Sequence, residues 1–181
     1  MAYQKLQVSD GLDVIPSNTV PIPDPTTTIV LDATTTGATV GDGNFATAAA
    51  GTTTLTDATA GIKFTEAGIK AGAIVYNTTA GKAYTVKSVD SDSQLTLIPE
   101  DAGGAADTYS IYSDATVGCI LYVGTAGNLN VNMAARNGNM ASSPANLRLT
   151  FKNLPNASFM PTQVVRVNVS GTTASDIIAL W

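Results

Sequence analysis

From residue 118 onward, apolar runs at Ile120–Val123, Leu147–Phe151, Val164–Val169 and Ile177–Trp181 alternate with Gly, Asn and Pro punctuation. Short apolar runs bounded by turn residues predict strands, so this stretch reads as one continuous β program. Its last run ends Ile-Ile-Ala-Leu-Trp without a polar tail. Terminal residues fray unless they are packed, so this strand is expected to lie in a core or against a neighbouring subunit.

Residues 52 to 113 supply a second, compact set of strands: Thr53–Thr56, Ile74–Asn77, Ala83–Val89, Gln94–Ile98 and Thr108–Tyr112. The spacing suits a small barrel. Thr79-Ala-Gly-Lys and Asp90-Ser-Asp-Ser are turn sequences between alternating runs and predict two hairpins. A single helical turn is expected at Phe64–Ile69, where Thr65 and Glu66 can begin it and Gly68 weakens it.

Upstream, the first 25 residues hold four prolines, Pro16, Pro21, Pro23 and Pro25. Proline favours extended backbone and withholds a ladder donor, which predicts an arm or edge segment. Its apolar residues, Val20 and Ile22 among them, would lie along another surface, such as that of a neighbouring subunit. A short strand is expected over 26–32, then a loop or loose strand pair to about Gly51 with too little apolar content for a core. Small-residue loops near 37 and 115 divide the chain into 1–36 (arm and first strand of a base domain), 37–114 (an inserted small β-barrel) and 115–181 (the rest of the base). The expected fold class is all-β: a β-sandwich or jelly-roll-like domain with the inserted barrel and an extended N-terminal arm.

Composition agrees with strands. The 181 residues include 26 threonines and 16 glycines against only 13% charged residues. With no histidine the commonest general base is missing, and one cysteine makes neither an intrachain disulfide nor a cysteine-built zinc site. Cys119, inside an apolar run, reads as a small buried hydrophobe. A net charge of −5 without a Lys/Arg cluster argues against a nucleic-acid partner. No apolar run approaches 18 residues and the start lacks an apolar leader core, so neither a membrane partner nor secretion is expected, and folding in a reducing host cytoplasm is.

Candidate chemistry is thin. Asp90 and Asp92 could offer oxygens to calcium, but a hairpin turn uses the same residues for local hydrogen bonds. The acid pairs Glu100/Asp101 and Asp10/Asp13 sit at turns, not across a cleft with sugar platforms. Gly41-Asp-Gly-Asn and the Gly124/Gly127 pair lack the lysine or the strand-to-helix setting of phosphate loops and read as turns. Three Asn-X-Ser/Thr matches, at Asn77, Asn156 and Asn168, carry no weight without a secretory signal. No catalytic residue, metal site or cofactor is expected, and a β-fold hydrolase lacks its nucleophile–base set.

The blocks Ile120-Leu-Tyr-Val-Gly-Thr-Ala-Gly-Asn-Leu129, Leu149-Thr-Phe-Lys-Asn-Leu-Pro-Asn-Ala-Ser-Phe-Met-Pro161, Val164-Val-Arg-Val-Asn168 and Gly171-Thr-Thr-Ala-Ser-Asp-Ile-Ile-Ala-Leu-Trp181 resemble the spike-base proteins on the heads of gene transfer agents and related tailed phages. The family's short Pro-Ser-(Asp/Asn)-Thr-Val element resembles Pro16-Ser-Asn-Thr-Val20, with residues 21 to 119 intervening here. The resemblance implies a virion structural protein on the capsid surface: a decoration or vertex spike-base component, homo-oligomeric as a trimer or pentamer, with the major capsid protein as partner and a spike fibre protein as a further one. Val20, Ile22, Ile177, Leu180 and Trp181 are the interface candidates. The alternative is a tail, baseplate or glycan-binding receptor module, which exposed Tyr76, Tyr84, Tyr109 or Tyr112 would favour.

Overall fold

The computed structural model of the protein describes residues 8–31, 40–48, 51–59, 62–134 and 148–181. The described chain is all-β. In chain order its strands are β1 (Gly11–Asp13), β2 (Thr28–Ile29), β3 (Val40–Ala48), β4 (Thr52–Thr56), β5 (Ile74–Asn77), β6 (Lys82–Ser91), β7 (Gln94–Ile98), β8 (Asp107–Tyr112), β9 (Cys119–Thr125), β10 (Gly127–Met133), β11 (Arg148–Leu154), β12 (Ser158–Val167) and β13 (Ser175–Leu180). They form two antiparallel sheets, and the chain divides into two compact units, 19–115 and 1–18 with 116–181.

In the unit 19–115 the strand order is β2-β8-β3-β4-β7-β6-β5, and β5 pairs again with β8. Six strands therefore pair around a closed ring, which leaves no free edge among them. Leu55, Phe64, Val75, Tyr84, Leu95, Leu97, Tyr109 and Ile111 fill its interior. The two hairpins lie where the turn sequences place them, 78–81 between β5 and β6 and Asp92-Ser93 between β6 and β7. Residues 64–68 form turns, not a helix.

Of the expected loop or loose strand pair up to Gly51, β3 is a strand paired with β4, and the expectation that this stretch gives nothing to a core is overturned. Phe45, 2% exposed, stacks on Tyr84 with centroids 5.4 Å apart and meets Tyr109 edge-on at 5.9 Å. Gly43 is the reason this segment fits: a Cβ there would fall 2.7 Å from the Tyr109 ring and 2.9 Å from that of Phe45. Two buried carboxylates are satisfied within the unit. Asp57 accepts from the Tyr109 hydroxyl at 2.7 Å, and Asp107 accepts from Asn77 Nδ2 at 2.8 Å and from the Gly104 amide at 2.6 Å.

The unit also starts earlier than 37. Val20, Ile22 and Leu31 are buried in it, Pro23 bridges Ala115, the Asp24 amide donates to the Asp114 carbonyl, and β2 pairs with β8. Residues 8–18 are not an arm either. β1 pairs with β13, the Ser9 amide donates to the Trp181 carbonyl, and the Ser17 amide donates to the Val167 carbonyl.

The unit 1–18/116–181 is a six-stranded sheet ordered β1-β13-β9-β12-β10-β11. Alternation puts Cys119, Leu121, Val123, Leu129, Val131, Met160, Val164, Val167, Ile177 and Ala179 on its buried face. β10 was not expected, although Leu129, Val131 and Met133 alternate with asparagines. The Gly124/Gly127 pair is not a turn. Gly124 lies inside β9 and Gly127 opens β10, because the 173–176 backbone crosses there: a Cβ on Gly127 would sit 2.5 Å from the Ala174 nitrogen, and one on Gly124 2.8 Å from Asp176 Cβ.

Candidate interaction surface

The register of the six-stranded sheet decides which side chains share its outer face. Ile178 pairs with Tyr122, Leu180 with Ile120, and Phe159 with Tyr122. These five apolar residues on the adjacent strands β13, β9 and β12 all point away from the buried face. Ile120, Tyr122, Ile178 and Leu180 are half-buried, while Phe159 is 63% exposed and meets Tyr122 with ring planes tilted by 59° and centroids 5.1 Å apart. An antiparallel sheet with one face on its core ordinarily carries polar residues on the other, so a contiguous apolar centre makes this face the candidate interaction surface.

Charge changes sign across the same face. At the β1 end, Asp13 and Asp176 border a shallow open cleft of about 350 Å³ with Val14, Tyr122, Ile177 and Ile178. Asp176 has the left-handed backbone φ of +54°, and its carboxyl is held below the usual carboxylate range by the Thr125 hydroxyl and then by that of Ser175. At the other end, Arg148 of β11 and Arg166 of β12 are both cross-strand partners of Asn132. Burial, and after it the Arg148 charge, pushes the Arg166 guanidinium down. Asn168 Nδ2 donates to Asn132 Oδ1 at 2.8 Å and to Asn130 Oδ1 at 2.9 Å, and Asn130 Nδ2 donates to Thr150 Oγ1 at 2.7 Å, which fixes this polar end.

No family model, curated protein or solved structure matches the chain. The reading of its surface therefore rests on this geometry.

Of the residues expected at an interface, Val20, Ile22 and Ile177 are 3%, 1% and 5% exposed within the single chain and offer nothing to a neighbour. Leu180 lies on the outer face. Trp181 is half-buried, its indole donating to Thr116 Oγ1 at 3.0 Å and its amide to the Asp10 carbonyl, so the last residue is tied into its own unit. Sequence reasoning missed Ile120, Tyr122, Phe159 and Ile178; the period-2 register was the signal that finds them.

Three of the paired acids are engaged locally. Asp90 accepts from Ser88 and Thr96 hydroxyls, Asp92 from Thr65, and Asp101 pairs with Lys82 at 2.5 Å. Among the described residues no group of three or more acidic or cysteine ligands converges on a point. Among the described residues no helix is long and apolar enough to cross a membrane.

Proposed function

We propose that this chain is a non-enzymatic structural protein of a tailed-phage virion, a capsid decoration or vertex spike-base subunit that assembles with copies of itself on the head. The observation that carries the reading is the apolar centre of the outer sheet face, Ile120, Tyr122, Phe159, Ile178 and Leu180. Such a face is stabilised by covering it, at about 25 cal/mol per Å² removed from water, and subunits packed around an axis cover one another. The family resemblance of the same strands supports the virion setting, with the major capsid protein as a partner on the particle.

The tail or receptor-binding alternative drew on tyrosines of the 52–113 segment. Tyr76, Tyr84, Tyr109 and Tyr112 are all buried, which leaves that alternative without its aromatic surface.

Light scattering of the purified protein over a range of concentrations tests the assembly. A defined oligomer that Phe159→Asp dissociates, while the variant keeps the wild-type circular dichroism, is the expected result. A wild-type protein that remains monomeric at every concentration overturns the proposal.

A further inference from the structure

Between Asp114 and Asp176 the sequence has no acidic residue, yet it carries Arg136, Arg148, Lys152 and Arg166 in a chain whose net charge is −5. The fold turns this segregation into a gradient along one sheet. Arg148 and Lys152 share a face of β11, the terminal strand at one end, with Arg166 two strands away. Asp13 of β1, the terminal strand at the opposite end, and Asp176 of neighbouring β13 carry the negative charge. Asn132, opposite both arginines, is on the outer face, as are Asp13, paired with Ile178, and Tyr122.

Among the described residues both terminal strands lack a second strand partner: β1 pairs only with β13 and β11 only with β10, which leaves backbone groups on their far sides for a further strand, the Gly11 amide excepted, which donates to Asp10 Oδ1 at 2.8 Å. β11 in addition exposes Leu149, at 48%. A sheet with two open edges of opposite charge is complementary to a second copy of itself placed head to tail.

We infer that the β11 edge of one copy docks against the β1 edge of the next, with Arg148 and Lys152 of the first facing Asp13 and Asp176 beside the Tyr122 cleft of the second. The sheets then continue from subunit to subunit by strand addition, and the opposite charges fix which edge meets which. Because the two surfaces differ, the contact is heterologous; it closes into a ring if the rotation per subunit divides a full turn. The cleft suits this occupant because an aromatic face next to carboxylates attracts a guanidinium or an ammonium. The edge contact is a second one beside the apolar face, and the inference rests on the assembly proposed above.

A charge-exchange experiment tests it on the full chain. Arg148→Glu with Lys152→Glu reverses the basic edge; Asp13→Lys with Asp176→Asn reverses the acidic one, asparagine being suited to the left-handed backbone at 176. Each variant alone is expected to fall at least tenfold in association, seen as a monomer by light scattering where the wild type is oligomeric. Mixed in equal amounts, the two associate again, as closed rings where the subunit number is even and as pairs or open alternating chains where it is odd, because every contact between unlike variants joins opposite charges. Circular dichroism and melting of each variant confirm that it is folded. Wild-type mass retained by both folded variants, or two folded monomers that fail to recover on mixing, overturns the head-to-tail edge contact while leaving the assembly itself standing. A wild type that is monomeric throughout overturns both.

Discussion

Gly127→Ala is expected to be among the most damaging single-methyl changes in this protein. The new Cβ would lie 2.5 Å from the Ala174 nitrogen, 2.7 Å from the Thr173 carbonyl carbon and 2.8 Å from Ala174 Cα. All three are backbone atoms, so no side-chain rotation relieves the clash. Separating the two segments stretches the amide bonds of Thr173 and Ala174 to the Asn128 carbonyl, at 2.8 and 3.1 Å, and that of the Asn128 amide to Thr173 Oγ1 at 2.9 Å. Overpacking costs about 1–3 kcal/mol and each weakened hydrogen bond up to about 1 kcal/mol, which sets the loss at about 3 kcal/mol. That corresponds to a melting temperature lower by roughly 10 °C for a chain of this size. Gly11→Ala is the control, since its Cβ would make only ordinary contacts from 3.4 Å outward. Differential scanning calorimetry of both variants decides the matter. If Gly127→Ala melts within about 1 °C of Gly11→Ala, the close crossing of the 173–174 backbone is not the reason for glycine at 127.

Tyr109→Phe removes the hydroxyl donor of a buried carboxylate, Asp57 at 1% exposure, and should cost about 1–3 kcal/mol in urea unfolding, with Tyr122→Phe as a near-neutral comparison. Burial pushes the Cys119 thiol up to about 12 from its ordinary 9.0. Its folded pKa lies above its unfolded one, so the neutral thiol's contribution is intact below about pH 9 and is lost as pH rises towards 12. Stability should therefore fall with alkaline pH less steeply in Cys119→Ala than in the wild type, and equal slopes in melting curves taken from pH 8 to 11 would contradict the assignment. Tyr84, raised by burial first and by Asp101 next, steepens the same alkaline loss in both proteins.

Much of the strand content was legible because apolar runs bounded by Gly, Asn and Pro carry their own punctuation. β9, β12 and β13 and the two hairpins fall where those runs do. β3 was not legible. Val-Gly-Asp-Gly-Asn-Phe-Ala-Thr-Ala offers one large apolar residue, and its glycine serves contact with Tyr109, a residue distant in sequence. Ring closure, not local propensity, makes that segment a strand. The candidate surface was half legible for a related reason. Ile177, Ile178, Ala179 and Leu180 are apolar on both faces, so only the pairing of Ile178 with Tyr122 and Ile177 with Val123 reveals which of them point outward. Val20 and Ile22 pointed correctly to burial, but they are buried within the single chain.

The position of β13 in its sheet also sets an order of events during synthesis. β13, residues 175–180, lies between β1, residues 11–13, and β9, residues 119–125. Chains leave the ribosome N-terminal end first and fold as units. All strands of the closed ring fall within residues 40–112 and can pair while the rest is still being made. β1 has no partner until β13 emerges, and the outer face lacks Ile178 and Leu180 until the same moment. A nascent chain thus holds this apolar face incomplete until residues 175–180 have emerged, well after the strands of the closed ring.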